Sequence, residues 1–234
     1  SASERSAQGQ RGMVDLRESL RHSVGMKRPL VADPNGPADP DSPLALLAEE
    51  VRRCTLCAPH LPLGPRPVIR VDARARILII GQAPGTRVHA TGTPWNDPSG
   101  DRLRQWLEVD RHQFYALDRF ALMPMGFCYP GKGRGGDLPP RPECAPRWHA
   151  PLRAAMPDIR LVLLPGRYGQ VQYLDTGRET LETTVRRFGD FLQHGYFPLP
   201  HPSPRNTRWL QARPWFEAEI LPALRAAVRK ALAD

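Results

Sequence analysis

Lysine is nearly missing from this chain: of 33 basic side chains, set against 24 acidic ones, only Lys27, Lys132 and Lys230 are not arginine. The net charge of +9 and the sequence pI near 10.0 are therefore carried by guanidinium groups. Arginine grips phosphate with two parallel hydrogen bonds and stacks on flat surfaces, so such an excess suits a nucleic-acid partner. A GC-rich coding sequence would produce the same bias, and charge alone does not separate the two. Long apolar runs are missing as well. No stretch approaches the roughly 18 residues that cross a bilayer, and the polar start has no signal-peptide core, so the expectation is a cytoplasmic protein with no membrane partner. No internal repeat is visible, which argues against a solenoid or propeller. At 234 residues the chain suffices for one well-buried α/β domain and is short for two.

Cysteine is scarce, and its placement is informative. Cys54 and Cys57 form C-x2-C, a 70-residue gap follows, and Cys128 and Cys144 form C-x15-C. Structural disulfides are disfavoured in a reducing compartment, so four cysteines with none left over point to a shared metal or iron–sulfur centre. Two close pairs are the usual zinc pattern. The wide second pair favours a [4Fe-4S] cluster, with zinc as the alternative, and either centre would be structural.

Residues 1–41 are rich in Ser, Arg, Gly, Pro and Asp without sustained periodicity, the composition of a flexible arm, and residues 42–234 are expected to form the folded domain. Ser42-Pro43 gives an N-cap and a proline at the first helical position, opening a helix that delivers Cys54 and Cys57. Ile77-Leu78-Ile79-Ile80 reads as a parallel strand buried on both faces, so Gly81-Gln82-Ala83-Pro84-Gly85 is the turn at its carboxyl end. Further strands are expected over 120–125, 159–164 and 196–199, and helical patterns around 99–107, 143–156, 167–187 and 214–232. Residues 129–147, dense in Gly and Pro, read as a long irregular loop needing a staple or a function. Strands alternating with helices imply a three-layer α/β/α fold around a central, mainly parallel four-stranded sheet. Ligands of such sheets bind at the carboxyl strand ends. His201-Pro202-Ser203-Pro204-Arg205-Asn206 follows the last strand.

Taken in order, these pieces resemble the iron–sulfur uracil-DNA glycosylases, the fourth and fifth classes of that superfamily. The resemblance covers residues 44–232: the C-x2-C, the G-x-A-P-G turn, Thr91-Gly92-Thr93-Pro94-Trp95, the wide cysteine pair and His201-Pro202-Ser203. It implies hydrolysis of the bond between deoxyribose and a deaminated base in DNA, leaving an abasic site, with Cys54, Cys57, Cys128 and Cys144 as cluster ligands. A base must leave the duplex to be cut, so a stacking surface and an edge-reading wall are required. The resemblance casts Trp95 as the stacking surface, Gly81 and Ala83 as base-binding and Gln82 as a catalytic residue, with the turn at Gln82-Ala83 presenting backbone N–H groups to the base carbonyl. His201 becomes the stabiliser of charge on the departing base, and Pro202, Ser203, Pro204, Arg205 and Asn206 the DNA wedge and phosphate grip.

The chain departs from the pattern at two places. The first turn, where the best-studied members carry a carboxylate, holds Ala83 and the neutral Gln82. Asp97 within Asn96-Asp97-Pro98-Ser99-Gly100 is therefore the expected catalytic carboxylate, as in the fifth class, with helix capping as its structural alternative. Pro124 stands where the fourth class carries a base-reading asparagine, which moves the expected substrate from strict uracil towards other deaminated bases. The alternative reading is an inactive iron–sulfur module that binds nucleic acid on the same scaffold. A monomer is the default expectation.

Overall fold

The structure, a computed structural model, describes residues 39–233. The arm expected over 1–41 thus lies almost wholly outside the described residues. Four strands form one all-parallel sheet: β1 (Ile77–Ile79), β2 (Phe120–Leu122), β5 (Leu161–Pro165) and β6 (Tyr196–Leu199), in the order β2-β1-β5-β6. Ile77 pairs with Phe120 on one side and Leu161 on the other, so β1 is central. Its side chains alternate between two cores, which is why the strand reads as unbroken apolar sequence. Ile77 and Ile79 pack with Leu103, Trp106, Phe216 and Leu224, whereas Leu78 and Ile80 pack with Leu44, Val51, Trp148 and Leu152. The first layer is α3 (Pro98–Leu107) and α10 (Leu221–Leu232), and the second is α1 (Pro43–Arg52) and α5 (Cys144–Ala154). The three-layer α/β/α fold is the one expected.

Local chemistry explains where elements end. Ser42 caps α1 by accepting from the Ala45 N–H, with Pro43 at the first helical position. The strand expected over 120–125 stops at Leu122, because Pro124 has no N–H to give a ladder. The helical stretch expected over 167–187 is two helices, α6 (Arg167–Leu174) and α7 (Leu181–Arg186). Asp175 ends the first in the left-handed region, φ 52°, and Thr180 caps the second by accepting from the Thr183 N–H. The expected helix over 214–232 is continuous with a wider π turn, Phe216–Ile220, that precedes α10.

The supposed irregular loop between the last two cysteines is the main correction. It contains a two-stranded hairpin, β3 (Lys132–Gly133) and β4 (Gly136–Asp137), with Lys132 opposite Asp137. A two-residue turn, Arg134-Gly135, joins the strands, and Gly136 sits at φ 141°, where a side chain would be strained. No helix among the described residues is long and apolar enough to cross a membrane.

Candidate functional site

At the carboxyl end of the sheet lies a cleft of about 480 Å³, lined by the Gly81–Gly85 turn, Trp95, Asp97, Pro124, the hairpin and the His201 loop. The volume is that of a small-molecule site, ample for one nucleobase. The turn after β1 is tied down by its carbonyls: Met125 N–H donates to Gly81 O and Gly126 N–H to Gln82 O, each at 2.9 Å. Among the described residues no carbonyl accepts from the N–H groups of Gln82 or Ala83. Two backbone donors are thus left at the cleft wall. The Gln82 side chain lies over Gly166, φ 93°, where a Cβ would come within 2.6 Å of its Nε2.

Trp95 is held in a backbone conformation unusual for its size, φ 57°. Gly100 makes this feasible, since a Cβ there would fall 1.8 Å from the Trp95 carbonyl oxygen. Arg104 donates to that oxygen at 3.2 Å, and the Tyr115 hydroxyl donates to Pro94 O at 2.7 Å. The indole edge lies against Gly81, and its ring stacks on the His201 imidazole, centroids 5.8 Å apart and planes 27° apart. Trp95 and His201 thus form one wall.

Asp97 caps α3, its Oδ1 accepting from the Gly100 N–H at 2.9 Å, and the same residue lines the cleft. Its charge reaches His201. Burial pushes the His201 imidazole down to about 4, against the opposing pull of Asp97. The ring is therefore neutral at physiological pH. The Ser203 N–H donates to its Nδ1 at 3.2 Å, which assigns the remaining proton to Nε2. The loop around it is stiffened from within and without. Asn206 Nδ2 donates to His201 O at 2.7 Å, while Arg102 of α3 donates to Ser203 O and to Thr207 Oγ1, both at 2.9 Å. Of the five residues expected at a DNA wedge, Pro202 is buried, Ser203 and Asn206 are half-buried, and Pro204 and Arg205 are exposed. Asn206 is spent on the loop itself, and Arg205 donates to Gly135 O on the hairpin at 2.8 Å.

The four cysteines, all free thiols, line one small cavity with Leu61, Phe127 and Trp148. Burial raises the thiol of Cys128 to about 11 and that of Cys144 to about 12. The Phe127 N–H points at Cys144 Sγ, 3.4 Å away, a contact that favours thiolate. Among the described residues no three His, Cys, Asp or Glu side chains close on the geometry of a single metal ion. Four sulfurs around one apolar cavity, without a disulfide, nonetheless form a donor set matched to a thiolate-bound cluster.

Sequence reasoning missed Asp137, which lines the cleft from the hairpin, and His149, which is buried behind it. Residue order gave no sign that either approaches the site.

A parallel sheet flanked by helices, with a polar cleft at its carboxyl edge, defines an α/β/α protein whose ligand meets the strand ends. Comparison with known families narrows the class. The uracil DNA glycosylase superfamily matches residues 69–225, and the chain belongs to that superfamily. The match includes Cys128 and Cys144 and begins after Cys54 and Cys57.

Proposed function

We propose that the chain is a monofunctional DNA glycosylase that releases uracil or another deaminated base, and that Cys54, Cys57, Cys128 and Cys144 hold a structural [4Fe-4S] cluster. The observation that carries the reading is the neutral His201, its Nδ1 already engaged, beside a carboxylate in a cleft with ample room for a base. A neutral imidazole donates through Nε2–H without having to lose a proton, which is what a developing oxyanion on a departing base requires. In this reading the flipped base lies by the Trp95–His201 wall, with the Gln82 and Ala83 N–H groups towards a base carbonyl. The bond from C1′ to the base nitrogen breaks, and its electron pair leaves with the base. A water oxygen bonds to C1′, and Asp97 stabilises the positive sugar and takes up the water's proton. The cap uses Oδ1, which leaves Oδ2 for this task. No lysine is among the cleft-lining residues, consistent with hydrolysis without strand cleavage. When bound, the cluster would supply a covalent cross-link between the end of α1, β2's exit and α5.

The test is a panel of end-labelled oligonucleotides carrying uracil, hypoxanthine or xanthine, single- and double-stranded, with alkali to reveal abasic sites. Alkali-dependent cleavage of at least one is expected. Asp97→Asn, which keeps the cap and removes the charge, should then lower the rate by about 100-fold without moving the melting temperature. Full activity in Asp97→Asn would leave Asp97 a cap alone. Retained lesion binding with no base released would replace the enzyme reading by the inactive iron–sulfur binding module.

A further inference from the structure

Asp137 is a second carboxylate in the cleft, and no motif accounts for it. It sits at the end of β4, exposed at the cleft mouth, with Oδ2 3.4 Å from where a Cβ of Gly85 would stand. Asp97 approaches His201 from α3, whereas Asp137 hangs over the Gly81–Gly85 turn from the hairpin. Two cations are close in the fold: Lys132 is its cross-strand neighbour, and Arg205 reaches the hairpin turn at Gly135 O. Neither closes on it. Among the described residues no hydrogen bond or ion pair engages the Asp137 carboxylate. An unpaired anion at the mouth of a cleft that must admit a polyanion opposes binding unless it makes a contact of its own.

The neighbouring wall shows which contact is lacking. Pro124 has no N–H, and its carbonyl is turned away to His149 Nε2 at 3.0 Å. The Gln82 amide packs on Gly166. An ionised carboxylate only accepts hydrogen bonds, so what it can read is an N–H group, of a ring or of an exocyclic amine. Uracil, hypoxanthine and xanthine each present an imide or lactam N–H on the edge that pairs in a duplex.

On the base-excision reading of the cleft, we infer that Asp137 is its specificity-determining acceptor, taking the ring N–H of a lactam-type base. The hairpin is then the edge-reading wall, in place of the residue that Pro124 displaces.

The experiment measures equilibrium binding of oligonucleotides carrying a non-hydrolysable 2′-fluoroarabino uracil or its N3-methyl counterpart. Wild type should prefer the N–H form by about tenfold or more, the size of one charge-assisted hydrogen bond. Asp137→Ala should bring the ratio near one, the uracil form losing its hydrogen bond and the N3-methyl form losing the anion's repulsion. Asp137→Asn, which keeps one acceptor oxygen, should retain part of the preference. A ratio that survives Asp137→Ala, a wild-type ratio near one, or no lesion-dependent binding overturns the inference. Because binding needs no turnover, failure here is distinct from a failure to excise any base of the panel.

Discussion

Among the described residues burial pushes two histidines, His149 and His201, as low as about 4, and what surrounds each ring differs. His149 on α5 is 4% exposed, and both of its ring nitrogens are used: Nε2–H donates to Pro124 O at 3.0 Å, and the Tyr173 hydroxyl donates to Nδ1 at 2.6 Å. Phe127 stacks on one side of the ring, with planes 13° apart. His201 is also pushed down to about 4, yet among the described residues only its Nδ1 makes a hydrogen bond. Its Nε2–H is left in the cleft. A low pKa alone therefore marks neither ring as functional. The difference is an unused donor facing open space.

The largest effect expected from this contrast is kinetic. His201→Ala should lower single-turnover base release by about 100- to 1000-fold, the range for removing one oxyanion donor, while lesion binding changes little. His149→Phe removes both of that ring's hydrogen bonds but fills its space. It should lower unfolding free energy by about 1–3 kcal/mol, through the stranded Tyr173 hydroxyl and Pro124 carbonyl, and leave the rate within a few-fold. Single-turnover assays and urea melts on both variants check the pair. Equal kinetic losses would erase the distinction.

Next in size is the pH dependence of stability. Burial lowers His149 from 6.5 to about 4, so the unfolded chain binds the proton more tightly than the folded one. The stability this ring contributes is present above about pH 6.5 and is lost as pH falls through about 4, a swing on the order of 3 kcal/mol. Urea melts between pH 7 and 4 should show the decline, and His149→Phe should flatten it. His201 titrates in the same window with the same sign, so part of the slope should survive in that variant.

The contrast also explains what could be read from residue order. His201 was legible because it follows a strand end and precedes Pro202, Ser203 and Asn206, a local pattern with a local cause. The same holds for Ile77 to Gly85, where an apolar run gives way to a turn, and for the Ser42 cap of α1. Asp97 carried two readings, cap and catalyst, and the structure shows why sequence could not choose: one side chain caps α3 and lines the cleft. His149 and Asp137 were illegible. The first meets Pro124 only through the packing of α5 behind β2, and the second enters the cleft only because a short hairpin folds back beneath Arg205. Contacts closed by tertiary packing leave no periodic trace in the chain.

The smallest predicted effect asks whether the His201 loop holds its own shape. Its internal bonds are local: Asn206 to His201 O, and Thr207 Oγ1 to Pro204 O, both at 2.7 Å. Arg102 adds an external pair, gripping Ser203 O and Thr207 Oγ1 from the helix whose N-terminus Asp97 caps. One rigid helix thereby sets the distance between the carboxylate and the imidazole, which the loop's internal bonds cannot do. Arg102→Lys keeps the charge but loses the fork, and is expected to slow base release about tenfold, a loss of one or two geometric hydrogen bonds, with folding intact. His201 in that variant should still titrate low, because its burial is unchanged. If the rate does not move, the loop is self-sufficient and the spacing between Asp97 and His201 owes nothing to α3. A tenfold loss with an unshifted melting curve would show that His201, unlike His149, depends for its role on being aimed rather than on being enclosed.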